Sequence, residues 1–253
     1  MQKVNSLFIG NKITLLDSVD STNAYVKSNC DRLIDGEVVV SKIQTEGRGR
    51  FKRKWISDTE GNLYASFIIK DSSWLEMPTH LPIFVAVVLR RAVLDSLSTN
   101  SDQRLGFKWP NDIVVDAGKL SGILIEASDN GYIVGVGLNV LSAPLIPNVK
   151  TTCLANIYGG DEVKNPNELI NFFVEAYNMG VKQYLNIGFG TFKSEWERFC
   201  AHLNKKVALR EGIDDNTQQT EAMFKGLDTS GGARVLFEGD RKEKTVYYGE
   251  LDV

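Results

Sequence analysis

Two mostly apolar runs, residues 38–43 and 62–69, are separated by Gly47-Arg48-Gly49-Arg50-Phe51-Lys52-Arg53-Lys54-Trp55. The runs read as buried strands, so a chain that buries both must present a charged, glycine-punctuated loop at the edge of its core. Glycines let backbone N–H groups approach an anion closely, and the arginines offer planar forks that match carboxylate or phosphate oxygens. Trp55 adds a flat face on which a ring can stack.

The flanking sequence supplies the frame. A short apolar lead occupies residues 7–9 and 13–16. Asp20-Ser21-Thr22-Asn23 has short polar side chains that accept from the free N–H groups of a first helical turn, which predicts a helix from there to about residue 33. The β-branched run over 37–43 predicts a strand ending at Gln44-Thr45-Glu46. Residues 81–97, with Pro82 near their start and an apolar run over 83–89, predict a long helix across the sheet. Segments 104–108, 113–115, 119–127 and 132–137 read as successive strands, with hairpin turns at Asp116-Ala117-Gly118 and Asp129-Asn130-Gly131. Residues 141–160 read as a loop with at most a short helical piece. A helix from Asn167 places Leu169, Phe173, Ala176, Tyr177 and Tyr184 on one face, another covers 191–203, and both should pack on the sheet. From about Lys205 short strand candidates (206–210, 222–227, 234–237, 245–250) alternate with turns at Gly212, Gly231-Gly232 and Gly239, the pattern of a small β-barrel. The expected fold is α/β (α+β): a mixed, largely antiparallel sheet backed by helices over 1–203, then a barrel over 204–253.

A net charge of −3 argues against a general nucleic-acid binder, which needs a broad basic surface to displace counterions, so the basic loop is a local device. Cys30, Cys153 and Cys200 show no CxxC spacing, and His80 and His202 have no partner at i, i+4, so neither a transition-metal site nor a disulfide framework is expected. No secretory leader pattern and no apolar stretch of about 18 residues is present, which predicts a cytoplasmic protein without membrane attachment.

Five motifs follow one another in fixed order: Ser21-Thr22-Asn23; Gln44 with Gly47-Arg48-Gly49-Arg50 and Trp55; Lys108-Trp109-Pro110-Asn111-Asp112; Gly118-Lys119-Leu120-Ser121-Gly122-Ile123-Leu124-Ile125-Glu126; and Gly135-Val136-Gly137-Leu138-Asn139. Together they resemble the biotin–protein ligase family over nearly the whole chain. The resemblance implies a class II synthetase-like catalytic domain with an SH3-like barrel, and a two-step reaction. Biotin and ATP, taken with Mg²⁺, form biotinyl-5′-AMP and pyrophosphate, and the biotinyl group passes to a lysine of the biotin carboxyl carrier domain of a biotin-dependent carboxylase. By this resemblance Ser21, Thr22, Asn23 and Gln44 bind the biotin head, Gly47, Arg48, Gly49 and Arg50 form the anion-holding loop, and Gly122 is a further binding residue. Lys119 bridges the biotin carboxylate and the α-phosphate, Trp55 stacks on adenine and Asn139 meets its edge, while Lys108, Asn111 and Asp112 flank ribose, phosphates or Mg²⁺. The residue types suit the chemistry. Biotin's carboxylate needs no general base; it needs positive charge to approach a phosphate, and Arg48, Arg50 and Lys119 are the candidate catalytic groups.

Plainer readings stand beside these. Lys52, Arg53 and Lys54 fit a solvated face equally well, Trp109 reads as core, and Lys119 taken alone is an ordinary hairpin lysine. Ser21-Thr22-Asn23 is compatible with cap and ligand site together, and Gly135 and Gly137 permit close strand packing. The empty loop should be mobile, since its five basic residues repel one another. Lys52 stands where the family often has glycine. No arginine follows Gly249-Glu250-Leu251, so no contribution of the barrel to ATP binding is expected. The residues before Ser21 are too few for a DNA-binding domain, which predicts the monofunctional type, with a homodimer left open. Two other functions remain in view: a lipoate or octanoate ligase or transferase of the same superfamily, and a non-catalytic module sensing biotin or a nucleotide.

Overall fold

In the computed structural model, which describes residues 7–97, 102–210 and 219–252, the chain forms two sheets. The first has strands β1 (Lys12–Val19), β2 (Glu37–Gln44), β3 (Leu63–Ile69), β4 (Leu105–Lys108), β5 (Asp112–Val115), β6 (Gly118–Ser128) and β7 (Gly131–Leu138) in the order β1-β2-β3-β7-β6-β5-β4. β1 and β2 run parallel and every other neighbouring pair antiparallel, the mixed arrangement expected. β3 is buried along its whole length. Its two faces meet different partners, because side chains alternate across a strand. Ile68 joins Val39, Ile133 and Val26 of α1 (Thr22–Asn29) on one side. Phe67 and Ile69 join Val38, Val40 and the large aromatic core on the other.

That larger face is covered by α2 (Leu81–Ser96) and α4 (Pro166–Ile187). Asn165 caps α4 by accepting from Glu168 N at 3.1 Å, and Pro166 opens the helix, so it begins one residue before the expected position. Tyr177 meets Phe67 edge-on at 5.1 Å. A Cβ on Gly180 would come within 2.6 Å of Val88, so α2 and α4 cross too closely for any side chain there.

Four expectations are corrected. The lead over 13–16 belongs to β1, an edge strand with Leu15 58% exposed, whose weak apolar pattern hides it. Helix α1 stops at Asn29 rather than near residue 33; a turn follows, in which Arg32 and Leu33 N–H both donate to Asn29 O at 2.9 and 3.0 Å and Leu33 joins the smaller cluster. Helix α5 (Gly190–Arg198) ends before residue 203, because residues 199–201 are drawn along the outer edge of β4: Phe107 N–H donates to Phe199 O at 2.9 Å and Ala201 N–H to Phe107 O at 2.9 Å. The strand expected over 245–250 divides in two at Gly249, whose φ is +118°. The short helical piece within 141–160 is α3 (Leu154–Tyr158).

The second sheet comprises β8 (Lys206–Arg210), β9 (Gln219–Leu227), β10 (Ala233–Phe237), β11 (Lys244–Val246) and β12 (Glu250–Asp252), antiparallel in the order β11-β10-β9-β8-β12. It has the SH3-like character expected; the turn at Gly212 lies outside the described residues. The two sheets share one core. Phe107 stacks on Trp196 at 5.8 Å, Trp196 and His202 pack on Phe224, and buried Trp109 donates its Nε1–H to Gly231 O at 3.2 Å. This docking carries residues 249–250 to the mouth of the cavity described next.

Candidate functional site

A cavity of about 190 Å³ opens where β6 and β7 meet the N-terminus of α1 and the basic loop. Ser21, Thr22, Asn23 and Gln44 form one end. Arg48, Gly49, Arg50, Trp55, Asn111 and Lys119 form the other, and Gly122, Gly135 and Gly137 line the floor. The floor glycines have specific neighbours. A Cβ on Gly135 would fall 2.2 Å from Asn23 Oδ1, and one on Gly137 would fall 2.5 Å from the Trp55 ring. They therefore make room for two side chains of the site, beyond easing strand packing.

The head end is a connected polar network, buried almost completely. Ser21 occupies the N-cap position of α1 with extended backbone, but its hydroxyl makes no capping bond. Thr22 N–H donates to Gln44 Oε1 at 2.8 Å, and Gln44 Nε2 donates to Ser57 Oγ at 3.1 Å. Asn23 Nδ2 donates to Glu126 Oε2 at 2.7 Å. Ser66 Oγ lies 2.6 Å from Asn23 Oδ1 and 2.7 Å from Thr22 Oγ1. Nearly every buried polar atom here has a partner, as a low-dielectric site requires.

The charged end is held differently. Lys119 Nζ pairs with Asp112 Oδ2 at 2.8 Å and stands 5.6 Å from the Trp55 ring centroid. Arg48 reaches Glu126 Oε1 at 3.7 Å. Arg50 donates to Gly249 O at 3.1 Å and Asn111 Oδ1 at 3.4 Å, and Arg53 pairs with Glu250. Burial pushes the Arg50 pKa below its ordinary value, while Glu250 and Asp112 act in the opposite sense. Phe51 carries both Arg50 and Arg53 near its ring, at 4.6 and 5.6 Å. Phe51 and Lys52 have φ of +55° and +60°. Lys52 thus adopts the left-handed backbone that glycine takes readily, at a cost of about 1 kcal/mol or more for an L side chain.

Four expected site residues do not line the cavity. Gly47 is buried behind the loop, where a Cβ would meet Ser57 Oγ and the Trp55 carbonyl at 2.4 Å. Asp112 acts on the cavity through Lys119. Lys108 points to Asp252 at 2.9 Å. Asn139 lies beneath β6, donating to Thr152 O at 3.0 Å and Lys119 O at 3.4 Å, with its Oδ1 buried and unpartnered. Other groups were not foreseen as site residues. Ile146 and Val149 close one wall from the loop after β7, and Glu250 brings the second sheet into the cavity's lining. Ser57, Ser66 and Glu126 organise the head network. Ser66 leaves a faint trace as the one hydroxyl in the otherwise apolar centre of β3, apart from Tyr64; Glu250 leaves none.

One end of the cavity can therefore match donors and acceptors of a small polar ring, and the other can gather anionic oxygens, with a glycine floor between them.

Residues 15–140 match the model of the biotin/lipoate A/B protein ligase family. The biotin–[acetyl-CoA-carboxylase] ligase of Paracoccus denitrificans is 29% identical over 226 residues, spanning 86% of this chain and 91% of that protein. The bifunctional ligase/repressor BirA of Escherichia coli is 24% identical over 249 residues, spanning 96% of this chain and 74% of its own length. Among solved structures, the biotin protein ligase from Aquifex aeolicus in complex with biotin and ATP superposes with a TM-score of 0.81 at 27% identity, covering 96% of this chain and 98% of that one.

Proposed function

We propose that this chain, which belongs to the biotin/lipoate A/B protein ligase family, is a biotin–protein ligase that forms biotinyl-5′-AMP from biotin and ATP and transfers biotin to a lysine of a carboxyl carrier domain. The observation that carries this reading is the single cavity shared by a buried polar head network and three cationic side chains, Arg48, Arg50 and Lys119. A ureido ring has both donors and an acceptor, and Thr22, Asn23 and Gln44 offer the complementary groups. The acid's tail then runs over the glycine floor toward Lys119. There positive charge draws the carboxylate onto the α-phosphate and stabilises charge building on its oxygens. Each such charge-assisted bond is worth roughly 1.5–3 kcal/mol.

ATP enters as its magnesium complex, with Trp55, Ile146 and Val149 offering the apolar faces nearest the charged end. For phosphates to bind, the cations must exchange Asp112, Glu126 and Glu250 for phosphate oxygens. The acceptor is a carrier-domain lysine, the location cytoplasmic, and the assembly a monomer or homodimer; nucleic acid is not a partner of this reading. We place the division between the catalytic and C-terminal parts at residues 203 and 204, although Glu250 and Gly249 join the second part to the site. Among the described residues no helix is long and apolar enough to cross a membrane.

A lipoyl or octanoyl group lacks the donors and acceptor that the head network would satisfy, and burying those protein groups unmatched would be unfavourable. Incubation with biotin, ATP and Mg²⁺ should yield biotinyl-AMP by mass spectrometry and label a carrier domain. ATP–pyrophosphate exchange stimulated by lipoate and not by biotin would reverse the assignment, and binding without pyrophosphate release would reduce the protein to a sensor.

A further inference from the structure

The head network contains more oxygen contacts than protons. Two hydroxyls, Thr22 and Ser66, have one proton each, yet three close oxygen pairs depend on them: Ser66 Oγ to Asn23 Oδ1 at 2.6 Å, Ser66 Oγ to Thr22 Oγ1 at 2.7 Å, and Thr22 Oγ1 to Gln44 Oε1 at 3.0 Å. One pair must lack a proton.

Glu126 decides which. Its carboxylate accepts and does not donate, so it orients the Asn23 amide with Nδ2 toward Oε2 and turns Oδ1 to Ser66. The Ser66 proton goes to Asn23, and the Thr22 proton then goes to Ser66. Gln44 Oε1 is already served by Thr22 N–H at 2.8 Å. This assignment leaves the longest of the three contacts without a proton; either alternative leaves two acceptors facing each other at 2.6 or 2.7 Å, which is more repulsive. Thr22 Oγ1 and Gln44 Oε1 both belong to residues lining the cavity. They form a pair of acceptors 3.0 Å apart whose repulsion an N–H of a ligand relieves by donating to both.

We propose that Ser66 is a positioning residue that relays the polarity set by Glu126 through Asn23 to Thr22, so that the head of the cavity selects a ring presenting an N–H donor. Ser66 is fully buried and does not itself line the cavity; it acts through Thr22. The inference rests on the biotin-ligase reading.

The test uses biotin and its two cyclic carbamate analogues, in each of which one ureido N–H is replaced by oxygen, with Kd measured by calorimetry. The wild-type protein should prefer biotin over one carbamate isomer by about 100-fold, since that isomer puts a third acceptor against the pair. In Ser66→Ala the Thr22 hydroxyl is released to donate to Gln44 Oε1, which removes the pair of acceptors. Biotin should bind roughly tenfold more weakly, the preference should narrow by about tenfold, and the KM for ATP should stay unchanged. Ser66→Thr should restore the preference. Glu126→Gln, whose amide can donate to Asn23 Oδ1, should narrow it also, and it serves as the decisive variant if Ser66→Ala fails to melt cooperatively. Equal weakening of biotin and carbamate in the variants, with wild-type biotin binding intact, overturns the role of Ser66 alone. Absence of biotin binding and biotinyl-AMP in the wild type overturns both this inference and the reading beneath it.

Discussion

At the head of the cavity, mostly buried side chains meet hydroxyl and amide groups and one carboxylate, that of Glu126, at 2.6 to 3.1 Å. At the charged end, the cations are exposed or half-buried, all but Lys119 of β6 lie on a loop with two consecutive left-handed residues, and they are matched by carboxylates or a carbonyl of the protein itself. The contrast teaches that the two ends meet their ligands by different routes. The head is preorganised, so its selectivity comes from hydrogen bonds whose direction is already set. The loop must exchange partners: of its five basic residues, Arg48 is held by Glu126 and Arg53 by Glu250 until a polyanion replaces them. A rigid end selects; an exchangeable end admits a highly charged substrate and releases pyrophosphate.

Lys119→Ala puts the largest strain on this comparison. Adenylate formation in a single turnover should fall by about 10²–10³-fold, while the Kd for biotin changes less than about threefold, because the lost charge acts on the transition state. A parallel collapse of biotin binding would erase the distinction between the two ends. Arg50→Gly removes the cation tied to Gly249 and Asn111. Escape of the adenylate should rise roughly tenfold, read as labelling of non-cognate lysines, and unchanged selectivity would count against a retaining role for the loop. Glu250→Gln tests the exchange directly. With a competing anion neutralised, the KM for ATP should drop about two- to threefold at low salt, and the gain should fade as salt is raised. A higher KM would mean that Glu250 orders the loop for ATP rather than competing with it. Smallest is Lys52→Gly, which relieves the +60° backbone angle and should raise stability by about 0.5–1 kcal/mol in thermal melts. A loss of stability would show that the lysine stem packs usefully despite its strain.

Legibility in the sequence followed how local each signal is. Strands β2, β3, β6 and β7 and helices α2 and α4 were readable within a few residues, because burial writes period 2, period 3.6 or a continuous apolar run into the chain. Edge strand β1 was not, since an edge needs few apolar residues and Leu15 points to solvent. Helix ends erred where a distant partner took over, as β4 does with residues 199–201. The site divides in the same way. Arg48, Arg50 and Trp55 carry their signal in side-chain type and loop spacing, whereas Lys119 and Ser21-Thr22-Asn23, a hairpin lysine and a helix cap when read alone, owe theirs to the order of the five motifs. Ser66 is the one aliphatic hydroxyl in an apolar strand and Ser57 one polar residue among several in a loop, and their meaning appears only when Asn23 and Gln44 arrive beside them. The barrel shows the sharpest gap: no local signal marks Gly249 and Glu250 as neighbours of the loop, yet they meet Arg50 and Arg53 from 199 and 197 positions away.

Residue order alone determined which side chains were available, that a cationic glycine loop would join two buried strands, and that a second, turn-rich sheet would follow. Tertiary structure decided which charges face one another and which way each hydrogen bond points. Those properties belong to pairs of atoms, and pairs far apart in the chain acquire a distance only after the core has packed.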